Sequence, residues 1–101
     1  MPKIYEYLGI VIYFYSNEHD PIHVHGQYNG SEVKAEFVVE DGQVVEIIFK
    51  SVHNRKPLSD TQLSDFSAFV EKYANEIVKK WVDYFVYNKK IKTEIITRRI
   101  K

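Results

Sequence analysis

The chain of 101 residues has no cysteine, only three prolines and four glycines, and no net formal charge. Without cysteine there is no disulfide framework, no thiolate nucleophile and no cysteine-based zinc site. So little proline and glycine excludes collagen-like and low-complexity classes. No apolar run approaches the roughly 20 residues that span a bilayer. The opening "MPKIYEY" lacks the long greasy segment of a secretory signal. These absences predict a bacterial, cytoplasmic protein. What is present, 45% hydrophobic and 28% charged residues, belongs to a globular chain with one core.

The balanced charge conceals a division. Residues 1–46 hold two lysines against eight acids, and residues 47–101 hold twelve basic residues against six acids. Such asymmetry predicts self-association through opposite ends, or a basic tail that meets an anionic partner.

No repeat or linker divides the chain, so it reads as a single domain over 1–101. The expected parts are a sheet over 3–50, a helix over about 60–87 and a basic C-terminal strand or tail over 90–101. The first part has a period of two. "KIYEYL" sets Ile4, Glu6 and Leu8 against Tyr5 and Tyr7; "IVIYFY" sets Ile10, Ile12 and Phe14 against Val11, Tyr13 and Tyr15. "IHVHGQY" and "EVKAEFVV" flank Asn29-Gly30, and Asp41-Gly42 leads into "VVEIIF", both strong hairpin signals. In the second part Ser59 and Gln62 fit a capping box. Leu63, Phe66, Val70, Tyr73, Ile77, Trp81 and Tyr84 then recur at helical spacing. The expected fold is α+β: a curved antiparallel meander of five to six strands with one long amphipathic helix on its apolar face.

The unusual stretch is "SNEHDPIHVHGQYNG", with three of the four histidines inside seven positions. On a strand His23 and His25 point the same way, their β-carbons roughly 6–7 Å apart. Three uses fit that spacing. His23 and His25, with His19 or Asp20 as a third ligand from the loop, can hold a divalent metal such as zinc, although no other cofactor is implied. The three histidines can act as acid and base in cleaving RNA at its 2′-hydroxyl, with Lys34, Lys50, His53 or Arg55 stabilising the phosphorane. Or the imidazoles simply pack, with apolar bodies and polar tips.

Continued alternation gathers Tyr5, Tyr7, Tyr13, Tyr15, His23, His25, Lys34 and Glu36 on the face away from the helix. An aromatic, hydrogen-bonding surface of this kind suits unpaired bases or a protein interface, including a homodimer. Tyr13, Tyr15, Asn17, Lys34, His53 and Arg55 are the candidate binding residues. The connector "KSVHNRKPLSD" and the tail's Lys89, Lys90, Lys92, Arg98, Arg99 and Lys101 add cations.

The N-terminal third resembles a bacterial domain-of-unknown-function family, number 4160. The matching elements are Met1, Pro2 and Ile4, then Phe14, Tyr15, Ser16, Asn17 and His19, then Pro21, His23, Val24 and His25. Ile22 stands where a second proline is frequent, and the basic tail is an addition. The resemblance implies genes in toxin–antitoxin-like pairs, and so a partner protein. The expected function is a small binding module for a partner protein or nucleic acid. The alternative is a histidine-dependent or metal-assisted RNase centred on the His-x-His strand.

Overall fold

A computed structural model gives the fold and describes residues 2–15 and 21–100. Five consecutive strands form an antiparallel meander: β1 (Lys3–Tyr7), β2 (Ile10–Tyr13), β3 (His23–Tyr28), β4 (Ser31–Glu40) and β5 (Gln43–Ser51). Two helices follow, α1 (Asp60–Lys72) and α2 (Ala74–Phe85), and then a short strand, β6 (Glu94–Ile96). β6 lies parallel to β1, which gives the sheet order β5-β4-β3-β2-β1-β6. The α+β class and the antiparallel meander match expectation.

Three of the meander's four connections are two-residue turns. Leu8-Gly9, Asn29-Gly30 and Asp41-Gly42 all have positive φ at both positions. That geometry matches the twist of the strands it joins. Each turn fixes which residues face each other, and here it corrects one expectation. Leu8-Gly9 sets Tyr7 opposite Ile10 and Tyr5 opposite Ile12. Directly paired residues share a face, so Tyr5 and Tyr7 lie under the helices with Ile10 and Ile12. Their rings pack on Phe69 at 5.0 and 4.8 Å. The register shift between Lys3 and Tyr5 is a bulge, and Ile4 is buried in the same core.

The second correction concerns the helix. Ser59 caps α1 as expected, its hydroxyl accepting from the Gln62 amide. The apolar stripe also continues to Tyr84, but the backbone leaves helical geometry at Tyr73 (φ −102°, ψ 16°), so two helices replace the single long one. Neither proline nor glycine lies there. The Tyr73 ring is stacked on Phe69 at 4.4 Å and edge-on to Tyr5 at 5.5 Å, wedged between the helix and the sheet. Side-chain spacing continues through such a bend, so periodicity alone does not register it.

Under the helices Phe66, Phe69, Val70 and Ile77 are fully buried. Each contributes roughly 1.5–3 kcal/mol by leaving water. The Phe66 ring lies directly over Gly26 of β3, where a β-carbon would come within 2.6 Å of it. At the far end the tail is tied back. Thr93 donates to the Lys3 carbonyl at 2.8 Å, Ile100 N–H to the Tyr7 hydroxyl at 3.1 Å, and Arg99 pairs with Asp65.

Candidate functional site

The sheet's other face carries the polar side chains, and cross-strand register arranges them in rows. Tyr13, His25, Lys34 and Lys50 form one row across β2, β3, β4 and β5. On one side of it Gln27 faces Glu32, and on the other His23 faces Glu36, which faces Ile48.

At the centre is Glu32, whose carboxylate is enclosed within the protein. A buried carboxylate needs every acceptor site satisfied. Its Oε2 accepts from His25 Nδ1 at 3.0 Å and from the Tyr15 hydroxyl at 3.1 Å. Its Oε1 accepts from Arg55 Nε at 3.1 Å and from Gln27 at 3.4 Å. Burial pushes the carboxyl pKa up. Hydrogen bonding from Tyr13, Arg55 and Tyr15, with the pull of His25, outweighs it and holds the group below its ordinary 4.5. Burial, then hydrogen bonding to Tyr15 and Glu32, raises the Tyr13 phenol and keeps it protonated.

An ionised carboxylate only accepts hydrogen bonds, so His25 carries a proton on Nδ1. His23 Nδ1 lies 2.6 Å from the Pro21 carbonyl, which also only accepts. Each imidazole therefore donates through Nδ1. The two imidazoles meet edge to face at 5.2 Å, and His25 is stacked beside Tyr13 at 5.5 Å and edge-on to Tyr15 at 4.2 Å. His23 and His25 are only 4% and 2% exposed, and Tyr13 2%. The expected open stacking platform is instead a closed, mutually bonded cluster.

The connector after β5 completes it. Beyond Ser51 the chain turns back to the start of β4, where Ser31 bridges to Lys56 and Glu32 N–H donates to the Lys56 carbonyl at 2.8 Å. Glu32 thus pins this basic segment through both its side chain and its backbone. Nearby, Glu36 holds Lys50 at 2.9 Å and Lys34 at 3.5 Å. The Lys50 hydrogen bond, the largest influence, and the charge of both lysines lower the Glu36 pKa against a smaller upward push from burial.

Of the sequence candidates, Tyr13, Tyr15, His23, His25, Lys34 and Arg55 come together here. His53 sits exposed on the connector, outside the bonded cluster. His19, Asp20 and Asn17 lie outside the described residues. Among the described residues no three His, Cys, Asp or Glu side chains gather as metal ligands. Glu32 and Gln27 were missed. The Asn29-Gly30 turn carried the signal, because a two-residue loop there sets Gln27 opposite Glu32 and His25 opposite Lys34. Two surface hollows, of about 260 and 360 Å³, lie elsewhere: one between α2 and the tail, one beside β5.

Fold and site together define an α+β protein with helices on one side of a six-stranded sheet and a histidine–glutamate–tyrosine–arginine network on the other. The family model described as "Domain of unknown function (DUF4160)" matches residues 9–82, from the first turn into α2, and the chain belongs to that family. No curated protein and no solved structure matches it. No helix among the described residues is long and apolar enough to cross a membrane.

Proposed function

We propose that the chain is a small binding module that holds nucleic acid against the far side of its sheet. One observation carries the reading: Glu32 clamps the connector so that Arg55 joins Lys34 and Lys50 on that side. Three cations from β4, β5 and the connector then stand on a face that also carries the carboxylates of Glu32, Glu36 and Glu46. The sequence-independent part of nucleic-acid affinity comes from such cations at phosphates. Lys89, Lys90, Lys92, Arg98 and Arg99, beyond the family-matched span, supply a second cationic segment. The toxin–antitoxin-like pairing implied by the resemblance adds a protein partner to this reading.

Fluorescence anisotropy with labelled single-stranded RNA and duplex DNA tests it. Binding is expected to weaken steeply as salt rises, and a Lys34→Gln variant, in which Lys50 still pairs with Glu36, to bind several-fold more weakly with little change in melting temperature. Absence of binding at low salt, or equal binding by that variant, sinks the proposal.

The His25–Glu32 pair favours a second reading, an RNase. A carboxylate on Nδ1 orients an imidazole and strengthens Nε2 as a base, and a second imidazole lies alongside for the acid role. The enclosure of both rings ranks this reading below binding. It requires RNA cleavage by the wild type that His23→Gln abolishes without loss of fold; equal cleavage by the two proteins removes it.

A further inference from the structure

We infer that β5 is a self-pairing edge, joining two copies of this chain into one continuous sheet. By strand order β5 has a neighbour on one side only, and at nine residues it is three times the length of the opposite edge strand, β6. Long open edges are usually covered or blunted, because their unpaired amides and carbonyls template another strand. β5 is rich in apolar side chains, "VVEIIF", and Val45, in the bulge between the Val38 and Val39 pairings, is 55% exposed. A hollow of about 360 Å³ separates this end of β5 from the α1–α2 bend.

The side chains of β5 specify the occupant. Two identical antiparallel strands related by a two-fold axis normal to the sheet keep each face on its own side, so the axis must pass through one residue. With the axis at Ile48, Glu46 faces Lys50 of the second copy, Ile47 faces Phe49, and Ile48 faces itself. Both charge pairs are opposite in sign, and between Glu46 and Lys50 every apolar residue meets an apolar one. Moving the axis to Ile47 sets Glu46 against Ile48; moving it to Phe49 sets Lys50 against Ile48. Only the Ile48 register matches, and it falls within the regular ladder that runs from Glu46 to Ser51 beyond the bulge. The axis direction leaves all four helices of the pair on one side of a twelve-stranded sheet. The polar faces, including both Glu32 clusters, lie together on the other. A single strand pair buries a modest area, so the association is concentration-dependent rather than permanent.

The absence of cysteine makes the register directly testable. In this cysteine-free chain, Ile48→Cys places two sulfurs at the axis within disulfide reach, and mild oxidation is expected to give a covalent dimer. Glu46→Cys, well away from its own copy, is expected to stay largely uncrosslinked. Sedimentation equilibrium from low-micromolar to several-hundred-micromolar wild-type protein is expected to show reversible dimers. Glu46→Lys and Lys50→Glu each break two symmetric pairs and should weaken the dimer about tenfold, and the Glu46→Lys/Lys50→Glu double exchange should restore it. Restoration separates this effect from lost stability, because the double exchange still removes the Lys50 partner of Glu36 and sets a new glutamate beside it. A wild type that is monomeric throughout, a double exchange no better than its singles, or equal crosslinking at positions 46 and 48 each overturns the proposal.

Discussion

Glu32→Ala is expected to lower the free energy of unfolding by about 3–5 kcal/mol, the usual penalty for breaking a buried ion pair by removing one partner. The substitution deletes the acceptor shared by His25, Tyr15, Gln27 and Arg55 and leaves the buried imidazole donor unmatched. Domains of this size are stable by roughly 5–15 kcal/mol, so the variant is expected to be partly unfolded at physiological temperature. Glu32→Gln keeps the shape and is milder, and it isolates the charge. The folded protein holds the Glu32 carboxyl below its ordinary 4.5. Its stabilisation is therefore complete above that ordinary value and disappears as the pH falls through the folded one. Urea titrations of wild type between about pH 6 and about pH 3 should show stability declining on acidification, with Glu32→Gln declining less steeply. Glu36 is lowered in the same direction, so some slope persists in the variant. Identical slopes for the two proteins would refute the assignment of Glu32 as a clamped anion.

The second large effect lies on the other face. Gly26→Ala pushes a methyl group against the Phe66 ring, with two ring carbons within 2.7 Å and a third at 3.0 Å. Phe66 has no exposed surface to retreat into, and overpacking of this kind costs about 1–3 kcal/mol. Phe66→Leu alone leaves a void and is destabilising too. Together the two should be less harmful than their sum, because the smaller side chain admits the new methyl. Thermal or urea unfolding of the four proteins decides the matter: strict additivity would mean that the close approach of ring and glycine does not govern this part of the core.

Much of this architecture was legible from local chemistry. The Asn29-Gly30 and Asp41-Gly42 turns, the Ser59 cap and the helical stripe from Leu63 to Tyr84 each rest on neighbouring residues alone. Legibility failed where a face depended on register across a turn. Reading Tyr5 and Tyr7 by alternation placed them with Tyr13 and Tyr15. The Leu8-Gly9 turn sets them opposite Ile12 and Ile10 instead, a result that counting across a two-residue loop would have given. Leucine at positive φ is an uncommon turn residue, so that loop did not announce itself. The histidine strand was found, but not its carboxylate. The Asn29-Gly30 turn sets Glu32 opposite Gln27, but its bond to Arg55 forms only when the connector returns to the start of β4, and no short window of sequence contains both.

The parallel pairing of β6 with β1 sets an order on biosynthesis. The hairpins join residues close in sequence and can zip as they leave the ribosome. The outer border of β1 must wait for a strand encoded some ninety residues later, which Thr93 fastens to Lys3. Until translation reaches that segment, the nascent sheet has unfilled borders at both ends, and the arrival of β6 closes one of them.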